Sequence, residues 1–526
     1  MKKTKVLSII LVIAMIVVGC SSKIETEDKK ESGKGDINSD YINLTMVKPE
    51  TINPILNKDK SVGYVMNLIY DSLFTIDENY NVVPQLVKKY SIENGGKEIN
   101  IKLKDAKWHD KSPVTSSDVK FTVDFIKKSE ENPYSELVKN IKSVHIINDK
   151  EFNISLNENY SFSIETLIFP ILSKNNLSSL SKKDITNNKN NLIGNGPYKI
   201  EKYEERDGMF LTKNEDYYKE IPSTAKDIRV GIVPDQEAQV AMVMALDSDI
   251  AKVSLNDLSK FHETEFNITK YEGRDYENII FNYDNPILLD SNLRKAIAYS
   301  IDKKKILEEA YMGDANIVNF PLNTSSKYYN KDIKSINYNK EKAKEYLSKV
   351  KFDGDKSNSK DQKENKSNTK SNSQINLKIV VNKNNTDRVK CAHIISENLK
   401  AIGIKSEVDE LEGEDLEKAI SGKKYDLALV GWELSFIPDA TPIIKSLDYK
   451  DEKLNDYMAS LTRATSESQV KDIYDSIQKY VNNNVPMISL VIRNDYMVTN
   501  SRIEGKIQPN DFDVYEGITN LTIKNK

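Results

Sequence analysis

The chain has 526 residues, 30% of them charged and 8% aromatic, with a formal net charge of −4. That length allows two or three packed units, and so small a net charge excludes strong electrostatic steering toward nucleic acid or another polyanion. Lys and Asn are frequent, but both charge signs are mixed along the chain, which fits a genome-wide codon bias better than a binding surface.

The first element is apolar. Lys2, Lys3 and Lys5 precede a run over residues 6–18 that only Ser8 interrupts. The run is about 13 residues long, whereas a spanning helix needs roughly 20, so it reads as the core of a secretory signal. Val17-Val18-Gly19-Cys20 resembles a bacterial lipobox, in which small residues admit the peptidase and the cysteine becomes a lipidated N-terminus; polar Ser21-Ser22 follow at once. The alternative is an ordinary signal that happens to contain a cysteine. On the lipobox reading, residues 1–19 are removed and Cys20 carries acyl chains. Each buried methylene then contributes about 0.8 kcal/mol to holding the protein on the extracytoplasmic face of the cell membrane. Residues 20–40 are polar enough to read as a flexible tether, with order expected from Tyr41. The second cysteine, Cys391, has no internal disulfide partner on this reading and is expected to be a small buried hydrophobe.

Val62, Val65, Met66, Ile69 and Leu73 recur at helical spacing. Ile99, Ile101 and Leu103 alternate as in a strand. Thr115-Ser116-Ser117-Asp118 is an N-cap pattern ahead of a helix over 119–128. Residues 293–312 predict one or two helices, with Asp302 as a second cap and Gly313 past the end. Residues 353–373 contain no apolar side chain and cannot offset their ordering entropy, so they predict a disordered insertion inside one unit. Closing such a loop costs little. Beyond it come a strand over 375–381, a helix over 388–402 stopping at Gly403, a strand over 407–411, a helix over 414–421, a strand over 427–430, a helix over 471–482 and a strand over 487–491. Strands alternating with helices predict an α/β fold with a largely parallel sheet. No internal repeat is visible.

Several segments carry a family resemblance. Residues 107–119 read Lys-Trp-His-Asp-Lys-Ser-Pro-Val-Thr-Ser-Ser-Asp-Val. Upstream stand Thr51-Ile52-Asn53-Pro54 and Leu68-Ile69-Tyr70-Asp71-Ser72-Leu73-Phe74. Downstream stand Gly194-Asn195-Gly196-Pro197-Tyr198, Asn214-Glu215-Asp216-Tyr217-Tyr218 and the helix from Leu293-Arg294-Lys295-Ala296 to Ile301-Asp302. In this order they resemble the extracellular solute-binding proteins of peptide and nickel ABC importers, family 5, from about Tyr41 to the C-terminus. Members typically read Trp-His-Asp-Gly where this chain has Lys111 in place of the glycine.

The resemblance implies an α/β, type II binding-protein fold with mixed sheets: two lobes around a cleft, joined by two crossing strands at 279–282 and 489–492. Lobe one takes 41–273 plus 495–526; lobe two takes 274–494 with the insertion. The implied function is a lipid-anchored receptor that captures a peptide in the cleft and delivers it to a membrane permease. It is expected to act as a monomer, with no cofactor, metal, nucleic acid or catalysis. A non-peptide solute such as a nickel complex or a glycoside, or a signalling peptide, remains open, as does, more distantly, an exported enzyme or adhesin.

Catalytic motifs are absent from the sequence. Trp108-His109-Asp110 resembles a metal or catalytic cluster, but His145, His262 and His393 stand at no ligand spacing from one another or from it; the resemblance makes the segment scaffold. Gly194-x-Gly196 runs into Pro197 without a third glycine, so it is no dinucleotide fingerprint. His262-Glu263 lacks the second histidine of a zinc protease.

The cleft candidates are Asn53, Asn282 and residues 431–439, Gly-Trp-Glu-Leu-Ser-Phe-Ile-Pro-Asp. Peptide-binding relatives place a Trp here and, three residues later, an aspartate that holds the peptide's amine. This chain has Trp432 but Ser435. Either Glu433 or Asp439 substitutes, or the ligand is not a simple peptide; the plain alternative makes Trp432 a core aromatic and both acids solvated. A peptide suits such a cleft because its backbone pairs with strand edges, water adapts side-chain pockets and its charged ends need fixed opposite charges.

Overall fold

A computed structural model describes residues 40–129, 131–180, 185, 192–223, 225, 227–351 and 375–524. The signal segment, Cys20, the rest of the tether up to residue 39 and the insertion at 353–373 lie outside them. Among the described residues no helix is long and apolar enough to cross a membrane.

The first lobe holds two four-stranded sheets. Ile42, Leu44 and Met46 alternate inward along the strand Tyr41–Val47, which pairs in parallel with Asp227–Val233. Gly208–Lys213 and Tyr198–Glu204 extend this sheet antiparallel. The other sheet is an antiparallel arrangement of Val87–Glu93, Glu98–Leu103, Glu151–Leu156 and Ile141–Ile146. One hydrophobic cluster joins both sheets to C-terminal residues such as Ile507, Val514 and Leu521. The helix Ser116–Lys128 adds Val119, Val123 and Ile126 to it. Its predicted cap is present: the Thr115 N–H and hydroxyl donate to Asp118 Oδ2 at 2.8 and 2.9 Å. The helix expected over 62–73 stops early, at Lys60–Met66. The Leu68 and Ile69 carbonyls instead accept from Tyr198, Asn195 and Gly196 N–H groups at 2.8–3.0 Å, so tertiary bonds take the place of a further helical turn.

The second lobe is built on a seven-stranded sheet. Asn376–Asn382 pairs in parallel with Lys405–Leu411 and Leu427–Glu433, and the helices Thr386–Ala401 and Gly413–Ser421 make the crossovers. Parallel pairing ends there, which corrects the expectation of a largely parallel sheet. Leu427–Glu433 meets the long strand Phe266–Phe281 antiparallel, and that strand pairs antiparallel with Met487–Asn500 from Phe266↔Asn500 to Ile280↔Met487. These two strands cross between the lobes. Tyr271 and Met497 belong to the first lobe's core, whereas Ile279, Phe281, Ile488 and Val491 belong to the second's. The changeover falls at the register shift between Glu272 and Tyr276. The stretches expected as crossings, 279–282 and 489–492, lie a few residues beyond it, inside the second lobe.

Residues 293–312 form two helices, Ser291–Ser300 and Lys303–Ala310, with the Asp302 side chain accepting from the Lys305 N–H at 3.1 Å. Buried Arg294 donates to the carbonyls of Leu288, Leu289, Asn484 and Val485 at 2.7–3.0 Å and thereby ties two chain segments to its helix. Cys391 is fully buried in its helix, and burial pushes its thiol up to about 12.

Candidate ligand cleft

The strand Leu427–Glu433 ends where the lobes meet, and the chain continues as an irregular segment over 434–439. An apolar and polar mixture in an irregular segment suits a wall between two bodies, since its backbone groups are not committed to a sheet. One side of this segment faces a cavity of about 340 Å³. The second lobe contributes Arg274, Ser435, Phe436 and Ile437; the first contributes Asp59, Lys60, Tyr64, Tyr134, Asp511 and Phe512. That size falls in the range of small-molecule sites. Phe436 meets Phe512 edge to face across the lobes, ring centroids 5.3 Å apart, and the Arg274 guanidinium lies 3.6 Å from the Phe436 ring centre. Both contacts are favourable beyond area burial.

The charges around this cavity alternate along a chain. Lys60 and Arg274 both bond Glu433 Oε1. Arg274 Nε lies 3.5 Å from Asp511, and Lys252 bridges Asp511 and Asp495 at 2.7 and 2.9 Å. Partial burial disfavours the charged form of Glu433, but the Lys60 hydrogen bond and the Arg274 charge outweigh it and hold the carboxyl below its usual range. Burial acts in the same sense on Asp495, and there it prevails and raises the carboxyl, with Lys252 opposing.

The sequence candidates divide. Ser435 lines the cavity, with its hydroxyl accepting from the Ile437 N–H at 3.1 Å. Glu433 stands at its edge, held as described. Asp439 lies on the other side of the segment, beside a water-sized hollow, and accepts from the Tyr160 hydroxyl and the Thr441 N–H, each at 2.9 Å. Trp432 is half-buried against Tyr276, Val318, Ile443 and Ile492, its indole N–H unpartnered, and it does not line the cavity. Asn53 and Asn282 are both away from it. Asn53 Oδ1 accepts from the Ile55 and Leu56 N–H groups in a local turn, and Asn282 donates to the Lys423 and Tyr425 carbonyls at the distal end of its strand. Short polar side chains that cap turns are a common use of Asn, and it accounts for both.

The Trp108-His109-Asp110 segment makes scaffold contacts. The Trp108 indole N–H points to Asp118 Oδ2 at 3.4 Å, and His109 Nε2 lies 3.1 Å from the Gly196 carbonyl, with burial lowering the ring to about 4. Among the described residues no group of three or more His, Cys, Asp or Glu is placed to hold a metal ion. Sequence reasoning missed Lys60, Arg274, Asp511 and Phe512. Ion pairs between segments this distant leave no periodic trace; the one available signal was a lone arginine at the expected lobe boundary.

Residues 81–454 match the family model for bacterial extracellular solute-binding proteins, family 5. An oligopeptide-binding protein, AppA, of Bacillus subtilis is 25% identical over 527 residues, covering 95% of each chain. The crystal structure of the ABC transporter substrate-binding protein CtaP of Listeria monocytogenes superposes with a TM-score of 0.75 at 21% identity, covering 92% of this chain and 99% of that one. NikZ of Campylobacter jejuni, solved in complex with Ni(L-His), gives a TM-score of 0.61 at 24% identity, covering 89% and 95%.

Proposed function

Because the chain belongs to the bacterial extracellular solute-binding proteins of family 5, we propose that it captures peptides between its lobes and hands them to an ABC permease. The observation that carries this reading is the interlobe cavity of about 340 Å³, walled by Phe436 and Arg274 from one side and Lys60, Tyr64 and Phe512 from the other. The lobes exchange chain near 273/274 and 494/495. Cargo bound between them favours the closed arrangement by no more than its differential affinity for closed over open. Ser435, Phe436, Glu433 and Arg274 form the cargo-facing wall, while Trp432 supports it from behind. Full-length relatives named for oligopeptide binding support a peptide as cargo.

The test is titration of the mature protein with peptide libraries, read by melting temperature and tryptophan emission. A saturable response is expected; silence toward every peptide sinks the reading. The second reading is a non-peptide solute, favoured by the neutral Ser435 where peptide-binding relatives hold an amine. Mass spectrometry of ligand retained through native purification separates the two.

The anchor is part of the same proposal. Acylated Cys20 keeps the receptor beside its permease on the extracytoplasmic face, and the receptor works as a monomer. Cys20→Ser is expected to leave the protein unprocessed or release it from membranes; normal acylation of that variant overturns the lipobox.

A further inference from the structure

Within the proposed role as a peptide receptor, we infer that the cleft selects cargo whose amino end carries no ammonium group, such as an acylated or cyclised peptide. Lys60 already occupies the carboxylate that such an ammonium would need.

Each acid around the cavity has its partners. The Asp59 carboxylate caps its helix, accepting from the Val62 N–H at 3.1 Å and the Ser61 hydroxyl at 2.9 Å. Asp511 faces Lys252 at 2.7 Å and Arg274 at 3.5 Å. Asp439 points away, to Tyr160 at 2.9 Å. Glu433 remains, and it already holds Lys60 as well as Arg274, which it shares with Asp511. A third cation would have to enter against both. Stripping an ammonium of water without supplying a counter-charge is expensive, and the Ser435 hydroxyl brings no charge to offset it.

The two cations differ in freedom. The Arg274 side chain is 8% exposed and stacked on Phe436, whereas that of Lys60 is 62% exposed at the mouth of the cavity. Arg274 therefore belongs to the wall, and the selection rests on Lys60. Lys58 at the rim is paired with Glu131 at 3.1 Å, and the apolar part of the lining is formed chiefly by Tyr64, Tyr134, Phe436 and Phe512 with Leu137, Ile168 and Ile437. Such a surface receives an acyl group or an apolar side chain at a gain of roughly 25 cal/mol per Å² buried.

The experiment uses one pool of Leu- and Phe-rich peptides, five to eight residues long, made both with a free amine and N-acetylated. Each form is titrated into the mature protein and into Lys60→Met. The native protein is expected to bind the acetylated pool at least about tenfold more tightly, a difference of about 1.4 kcal/mol. Lys60→Met is expected to move the ratio of the two affinities about tenfold toward the free-amine pool, and Lys60→Arg should keep the native ratio. Because Lys60 is exposed, these variants fold. Equal binding of the two pools by the native protein, a preference for the free amine, or a ratio unmoved by Lys60→Met overturns the selection and leaves the receptor role standing. Binding of neither pool overturns this inference, because the apolar lining would then not receive the very peptides it is argued to select, whereas the peptide role falls only to silence toward every library peptide.

Discussion

Lys111 sits at φ +73°, in the left-handed region that glycine occupies without steric cost. The Trp-His-Asp turn demands that conformation because, once the Lys111 N–H has closed onto the Trp108 carbonyl at 2.8 Å, the chain must turn back at Lys111 for the Ser112 carbonyl to accept from the Trp108 N–H, also at 2.8 Å. The lysine side chain gains little there, since its ion pair with Asp216 is long, at 3.9 Å, and exposed. Lys111→Gly is therefore expected to stabilise the fold by about 1 kcal/mol, seen as a higher urea midpoint at unchanged slope. A midpoint that stays or falls would show that the strain is relieved elsewhere. The same scale explains what was legible at the site. Glu433, Ser435 and Asp439 drew attention because they share one short segment with Trp432, and that segment resembles the one in which peptide-binding relatives hold an amine. Lys60 and Arg274 did not, because the contact that gives them meaning exists only after lobes have formed. Asn53 and Asn282 stand away from this cavity, with Asn53 Oδ1 accepting from the Ile55 and Leu56 N–H groups and Asn282 Nδ2 donating to the Lys423 and Tyr425 carbonyls.

At the scale of elements, sequence periodicity recovered those that pack one face on a core. The helices Ser116–Lys128, Thr386–Ala401 and Glu467–Asn484 and the strand Glu98–Leu103 all lie close to where spacing put them. The two long crossing strands were cut short. Met487–Asn500 was read only to residue 491 because Arg493, Asn494 and Asp495 interrupt its apolar run, and Phe266–Phe281 has the same trouble at Glu272 and Arg274. Those polar residues stand where the strands leave one core for the other, and Arg274 among them lines the cavity, so a crossing strand cannot read as a core strand. The turn at residues 194–198 shows a different constraint, close backbone approach. A Cβ on Gly194 would stand 2.0 Å from the Ile69 carbonyl oxygen, and one on Gly196 would stand 2.7 Å from the Ile69 carbonyl carbon. Backbone cannot yield as a side-chain tip can. Gly194→Ala is expected to destabilise by roughly 1–3 kcal/mol, measured by denaturant unfolding, with cargo affinity retained in the folded fraction. A loss of binding without a loss of stability would move this turn from scaffold to site.

For the whole molecule, the decisive question is what holds the lobes together besides the cleft. A first-lobe loop supplies a second contact. Phe162 is buried among second-lobe aromatics, 6.0 Å from Tyr328 and 6.2 Å from Tyr474 between ring centres, and the Tyr160 hydroxyl donates to Asp439. Glu165 follows on the same loop, and burial raises its carboxyl to about 7, with its own backbone N–H and Lys327 opposing and the Glu467 charge assisting. The packed state thus holds this proton to a higher pH than an exposed carboxyl would, so it binds more protons than the opened or unfolded state between about 4.5 and 7. Stability consequently falls as pH rises through that window and is level above it. Glu165→Gln removes the penalty while keeping the shape. Its melting temperature should match the native protein's near pH 4.5 and exceed it at pH 8, by an amount corresponding to at most about 3 kcal/mol. Because the loop bridges the lobes, cargo affinity at pH 8 should rise with it if packing of this loop accompanies closure. Parallel melting curves for the two proteins across that range would show that Glu165 is already solvated, and the loop would then lose its part in joining the halves.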